Sequence, residues 1–430
     1  MTNMDLFNKA LTVGRPPNIQ KLFPNSKALI VSGKFIDRAM IKKGRAMTIA
    51  ANGRNGFVIR GALKAAQKAN APLIIEIAKS EGGSEFYCAI NYWNMARFVD
   101  AACNEMCITV PVAIHADHYA IKNETDLEKA KTEIPSMFEA GITSIAIDAS
   151  HLPEDINLLA NLELLQFVPE WAGYETEVGE IKGDLGLSTA NEALFLISGL
   201  NAMGKFPDWI ALNNGTTHGI EASDQGIQVE LTRDIHTALK PYGVSGAQHG
   251  TSGNSTDRLK AIAAETHTTK ANVATALQMI SWGVEVNDYG NAILDADGNF
   301  SKMQDKGMSQ EMWNEMVAYA AKQGWKKGDY KKLNAVFENK LWAQPACFRE
   351  RMENDVADFV YDLLVNVFNA ENAADMALEV ITETGSYIAP AKANQIEDPK
   401  TWNPADYGIE PGAHGEGCGC GHDHGGDFDD

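Results

Sequence analysis

Side chains able to bind a metal or move a proton recur along this chain in short clusters. His115, Asp117 and His118 form the run H-A-D-H, Asp148 and His151 fall in I-D-A-S-H, and Glu175 and Glu177 stand two apart in E-T-E-V-G. His218 lies in T-T-H-G, His249 opens H-G-T-S-G, and Asn287 and Asp288 sit in E-V-N-D. Imidazole suits zinc, and a catalytic zinc site uses three protein ligands and leaves a position open. Carboxylates beside such a site suit general acid–base work. The glycines add a second chemistry: Gly219 after His218, and Gly250 and Gly253 after His249, leave backbone N–H groups with little steric cover. Such nests hold phosphate without a basic side chain. Each feature alone has a plainer reading, as a packed histidine or an ordinary turn. Their shared placement carries the argument.

That placement depends on the elements between them. Short apolar runs at 46–51, 72–78, 110–115, 142–148, 172–178, 208–213, 244–249 and 281–287 predict strands. Amphipathic stretches at 56–70, 125–140, 189–203 and 256–279 predict helices between them. Eight βα repeats close a TIM barrel, with the carboxyl ends of the strands as the functional face. A doubly wound open sheet is the alternative, weakened because no G-x-G-x-x-G turn follows the first strand. In the barrel, imidazoles from strands three, six and seven and carboxylates from strands three to five meet at one mouth. Glu175 and Glu177 share a face because strand side chains alternate.

Beyond the eighth run, 293–300 reads as a hairpin or turn, and 310–322, 348–368 and 373–384 read as helices. The expected organisation is an α/β chain: a catalytic barrel with its lead-in over 1–325, a helical extension over 326–411 packed on it, and a tail over 412–430. The tail is rich in Gly, Cys, His and Asp and carries His414, Cys418, Cys420, His422 and His424. It reads as disordered. It is either an acidic solubility segment or an exchangeable site for a soft or borderline metal. Cys103 and Cys107, four apart, read as helix packing.

Composition narrows the classes. Lys and Arg number 37 against 57 Asp and Glu, a net charge of -20, which disfavours a nucleic-acid or anionic-membrane surface. No apolar stretch reaches spanning length. The start has no secretory pattern. Six Cys in 430 residues make no disulfide framework. A reducing cytoplasm is expected.

The ordered set H-A-D-H, I-D-A-S-H, E-T-E-V-G, T-T-H-G, H-G-T-S-G and E-V-N-D resembles the class II, metal-dependent fructose-bisphosphate aldolases, over roughly residues 30 to 290. Ser80 in S-E-G-G resembles that family's substrate-contacting turn after strand two. The resemblance implies a homodimer or higher homo-oligomer that cleaves a ketose bisphosphate to dihydroxyacetone phosphate and an aldehyde. It implies a catalytic Zn²⁺ on His118, His218 and His249, with Asp148 and Glu177 near a second, divalent or monovalent, cation position. His115 would give structural support. Asp117 would handle the C4 hydroxyl proton, and Ser80, Gly219, Gly250, Ser252, Gly253 and Asn287 would hold the substrate. The chain departs from the family at the acidic loop after strand five, where Glu180 and Asp184 are both candidates to move the C3 proton. It also departs at Thr251 and at N-D-Y over 287–289.

Fructose 1,6-bisphosphate, in glycolysis or gluconeogenesis, is the first substrate to consider, with tagatose and sedoheptulose bisphosphates as alternatives. The metal could be Zn²⁺, Co²⁺ or Fe²⁺. A lysine Schiff base would be the other route to the same cleavage. The expected strand ends offer no lysine, Lys79 being the nearest. A metal-dependent hydrolase on the same barrel is a second reading, and metal storage or delivery through the tail is a non-enzymatic third.

Overall fold

The computed structural model describes residues 3–84, 86–179, 186–215, 226–287, 290–295 and 298–409. Eight parallel strands close a barrel in chain order: β1 (Thr48–Asn52), β2 (Leu73–Ala78), β3 (Val112–Ala120), β4 (Ser144–Asp148), β5 (Gly173–Val178), β6 (Trp209–Leu212), β7 (Ser245–Gln248) and β8 (Thr268–Val273). β8 pairs with β1, Ala50 opposite Asn272, and so leaves no edge. Outer helices include Gly56–Ala69, Glu124–Glu139, Glu154–Leu164, Ala190–Ala202, Val229–Leu239 and Thr256–Glu265. Their apolar faces bury against the strands.

Seven strands fall where the apolar runs place them, and the eighth does not. The run at 281–287 is the end of a helix (Thr275–Trp282) followed by an irregular antiparallel segment, with Val284 bridged to Lys302 and Val286 to Ala292. The hairpin expected at 293–300 is present, with Leu294 bridged to Phe300. The true eighth strand lies inside the stretch expected to be one long helix, 256–279. Four residues of its sequence, T-T-K-A-N-V, are polar, and of these Lys270 and Asn272 face the barrel interior with the site's carboxylates.

The lower lumen is filled by Ala50, Ile74, Ala113, Trp209, Ala211 and Ala247, which pack with Phe35 and Ile36 of the helix Gly33–Lys43. That helix plugs the amino end of the barrel. Gly33 is required by the close approach: a Cβ there would lie 2.7 Å from Ser144 Oγ and 3.0 Å from the Trp209 ring. An ionic network seals the same end. Lys392, arriving from the C-terminal stretch, donates to Asp37 Oδ2 at 2.7 Å, the Asp208 carbonyl at 2.6 Å and Ser245 Oγ at 2.9 Å. Arg38 bridges Asp37 and Asp208. The C-terminal helices clasp the barrel from outside. Ala346–Asp362 lies along Gly56–Ala69, and Ala373–Thr384 packs on Gly33–Lys43 and on the first helix, Met4–Val13.

Among the described residues, no helix is long and apolar enough to cross a membrane. The tail, with its five donor residues, lies outside the described residues.

Candidate metal and anion site

Asp117 and His118 are sequence neighbours, and in a regular strand they would point to opposite faces. β3 does not stay regular. Its register on β4 shifts between Ala116 and Tyr119, and His118 takes φ +38°, the left-handed region that a non-glycine residue rarely adopts. The irregularity brings both side chains to the mouth, as β-bulges near functional sites do.

His118 Nδ1 lies 3.2 Å from Glu177 Oε2 and 3.4 Å from Asp148 Oδ2. The His118 and His249 rings meet edge to face, with centroids 4.2 Å apart. His249 Nε2 pairs with Glu175 Oε1 at 2.8 Å. An Nε2–H donated to that carboxylate leaves the Nδ1 lone pair facing the cluster. Nδ1 is buried without a hydrogen-bond partner, 3.9 Å from Glu177 Oε1. A buried, orphaned imidazole nitrogen among carboxylates suits a cation. Two donor sets here are compact enough for an ion, Asp117–His118–His249 and His118–Asp148–Glu177, each with its ligand atoms within 4.8 Å of one another.

The electrostatics agree. Burial lowers the His249 imidazole pKa and His118 opposes its charge, yet Glu177, Glu175 and Asp117 outweigh both and raise it. Burial would raise the Asp117 carboxyl, but Lys270, His118 and His115 hold it well below the usual carboxylate range. Asp148 is also buried yet held low by His118 and by the Ser150 hydroxyl, which donates to Oδ1 at 2.6 Å. Asp117 Oδ1 accepts from Asn272 Nδ2 at 2.9 Å. Its Oδ2 makes no hydrogen bond among the described residues.

The glycine turn stands beside this cluster. Gly250 and Gly253 have φ of +55° and +93°, which glycine adopts without strain. Among the described residues, none of the backbone N–H groups from Gly250 to Gly253 has a hydrogen-bond partner. Asn254 braces the turn, its Nδ2 donating to the Gly250 carbonyl at 3.0 Å and its Oδ1 accepting from the Ile227 N–H. Ser252 is half-buried in this turn, and Ser80 is exposed in the turn after β2.

The structure thus brings together Asp117, His118, Asp148, Glu177 and His249, with the Gly250–Ser252–Gly253 turn next to them. His218, Gly219, Glu180 and Asp184 lie outside the described residues. His115 is buried below the mouth, its Nδ1 2.8 Å from Ser144 Oγ. Asn287 is misplaced by the sequence reading. It ends no barrel strand but sits between Val286 and Ala292 in the irregular antiparallel segment, where its Oδ1 accepts from the Asn291 N–H at 3.0 Å. Asn272 occupies the inward position near the end of β8 that Asn287 was expected to fill. The antiparallel segment still abuts the anion turn, with the Asn291 amide against Gly253.

Sequence reasoning also missed a lysine. Lys79, the nearest candidate then, donates to the Ala120 carbonyl at 2.6 Å and lies over the Tyr119 ring. Lys270, inside β8, is a fully buried lysine within the barrel. The strand could have been found from spacing, since a helix ending near 265 leaves room for a short β-favouring segment before the next. Lys270 does not reopen the Schiff-base route. Burial lowers an amine's pKa, but Glu175, Glu76 and Asp117 more than reverse this and keep Lys270 protonated. A nucleophilic amine must be neutral.

Such a barrel, with donor atoms gathered at the carboxyl ends of its strands beside a glycine turn, defines a (βα)₈ protein whose candidate site lies on the usual functional face of the fold. The chain belongs to the fructose-bisphosphate aldolase class-II family, whose profile matches residues 35–324. A fructose-bisphosphate aldolase of Staphylococcus aureus is 33% identical over 122 residues, 28% of this chain and 38% of its own length, so the match spans less than half of that relative. A fructose-bisphosphate aldolase of Mycoplasma pneumoniae is 28% identical over 242 residues, 55% of this chain and 77% of its own. Among solved structures, the fructose-bisphosphate aldolase of Campylobacter jejuni superposes with a TM-score of 0.54 at 18% identity, covering 80% of this chain and 97% of that one. The YdjI aldolase of Escherichia coli gives 0.52 at 17%, covering 80% and 99%. At these identities the structural likeness bears on the fold.

Proposed function

We propose that this chain is a zinc-dependent aldolase that reversibly cleaves a ketose bisphosphate, fructose 1,6-bisphosphate in the first instance, to dihydroxyacetone phosphate and glyceraldehyde 3-phosphate. The observation that carries the reading is the convergence of Asp117, His118 and His249 on one point beside an anion turn with free N–H groups. His118 and His249 would hold the ion with His218 as third ligand, and Asp148 and Glu177 would serve a second cation position. When bound, the metal supplies Lewis-acid stabilisation of the negative charge that develops on the ketose as its C3–C4 bond breaks.

The chain's own residues do the rest. The N–H groups of residues 250–253 and the Ser252 hydroxyl bind one phosphate, with Gly219, Ser80 and Asn287 as further contacts, and so fix the sugar's direction. Asp117 takes the C4 hydroxyl proton in cleavage and returns it in condensation, and Asn272 fixes the orientation of its carboxylate. Glu180 or Asp184 moves the proton at C3. A homodimer or higher homo-oligomer goes with the family resemblance, and a cytoplasmic location with the cysteine usage.

A coupled cleavage assay on fructose, tagatose and sedoheptulose bisphosphates, with and without a chelator, tests the proposal. Chelator-sensitive, zinc-restored cleavage of the fructose ester is expected. Hydrolysis of simple esters or amides without aldol cleavage would replace it with the hydrolase reading.

A further inference from the structure

The metal reading leaves unexplained the charged floor beneath the site. Lys270 is fully buried, at 0% exposure. Its ammonium lies 2.7 Å from Glu175 Oε2, 3.0 Å from His115 Nε2, 3.3 Å from Glu76 Oε2 and 3.4 Å from Asp117 Oδ1. Partners from β2, β3 and β5 therefore close on one nitrogen of β8. Two of them reach the site itself. Asp117 is one. Glu175 is the other, because its second oxygen holds His249 Nε2.

A second observation concerns what the ammonium displaces. Glu76, His115 and Asp117 form a donor set within 4.8 Å, as compact as the two sets at the mouth. Lys270 Nζ is in contact with all three residues. The ammonium stands where those three donors would otherwise face one another.

We propose that Lys270 is a positioning residue. It is a fixed internal cation that orients Asp117 directly and His249 through Glu175, and it occupies the floor so that the metal binds at the mouth. The inference rests on the metal-dependent reading above. Outer partners of metal-bound histidines commonly change metal affinity by about 10- to 100-fold when removed. A lysine that merely neutralised buried acids would affect stability and leave the metal site of a folded variant unchanged.

The test is a Co²⁺ titration of metal-free, full-length protein, read by affinity, stoichiometry and visible absorption, alongside kcat and KM. The variants are Lys270→Met and Glu175→Gln, the latter keeping shape and losing charge. Folding is checked first by circular dichroism. We expect both folded variants to bind the first Co²⁺ at least about tenfold more weakly with an altered absorption band. Lys270→Met should also take up one equivalent more than the wild-type protein. kcat should fall while KM changes by less than about threefold, because the phosphate turn is untouched. A folded Lys270→Met with wild-type Co²⁺ affinity, spectrum and kcat would overturn the proposal. If that variant does not fold, unchanged affinity in Glu175→Gln overturns it equally. Failure of the wild-type protein to bind Co²⁺ at all would instead refute the metal reading.

Discussion

Replacing Asp117 by Asn isolates the proton-transfer step from metal binding. The wild-type carboxylate keeps Oδ1 on Asn272 Nδ2 at 2.9 Å and near Lys270 at 3.4 Å. An amide with its oxygen in that place preserves both contacts and puts NH₂ where the proton-accepting oxygen was. His118 and His249 are unchanged, so the zinc content should stay near wild type. What is lost is general acid–base catalysis, typically about 10²–10⁴-fold. At about 1.36 kcal/mol per decade, this is roughly 2.7–5.5 kcal/mol of transition-state stabilisation. Because Lys270 and the neighbouring imidazoles hold the wild-type carboxyl well below its usual range, the acceptor is ionised throughout neutral pH, and the deficit should not vary between pH 6 and 8. The assay is coupled cleavage of fructose 1,6-bisphosphate with kcat and KM resolved, and zinc per chain measured on the same samples. Turnover within threefold of wild type would assign the C4 proton to another group. Zinc lost in step with activity would make Asp117 a ligand and refute its separate role.

Single replacement of His118, His218 or His249 by Ala should abolish cleavage and lower bound zinc, measured by metal analysis of purified protein; full metal and turnover in any one of them removes that residue from the ligand set. The buried His236 gives a pH prediction: burial, with His267 nearby, depresses its imidazole to about 3. The folded state then binds fewer protons than the unfolded one below about pH 6.5, so stability is complete above that value and declines as pH falls toward the folded pKa. Between pH 6.5 and 5 this group should remove about 2 kcal/mol. Denaturant unfolding of His236→Gln should show a flatter profile over the same window, and an equally steep one would place the acid sensitivity elsewhere.

The sequence makes seven strands legible as short runs that alternate with helix-like stretches, although β2, β3 and β5 also turn acids inward. β8 escapes because only Ala271 and Val273 of its six residues are apolar, and an apolar stretch at 281–287 offers a false substitute. Asn287 was misplaced for that reason alone. The ligand types were legible from their order along the chain. Their aim was not: nothing in H-A-D-H announces that β3 breaks register so that Asp117 and His118 can share a mouth. Nor does the sequence show that Glu175 grips His249, since the contact joins strands 74 residues apart.

The sealing network at the amino end sets where the chain can be shortened. Lys392 belongs to a stretch with no regular structure, and a linear map would offer that stretch as a dispensable linker. Yet its ammonium faces the fully buried Asp37 carboxylate, and it also bonds the Asp208 carbonyl and Ser245 on the sheet's underside. A chain ending ahead of residue 392 would leave those acids to Arg38 alone, and an uncompensated buried charge costs about 3–5 kcal/mol. That is a large part of the 5–15 kcal/mol a domain typically possesses. The practical border for truncations, tags and fusions therefore lies past the latch, although every proposed site residue is encoded more than a hundred residues earlier.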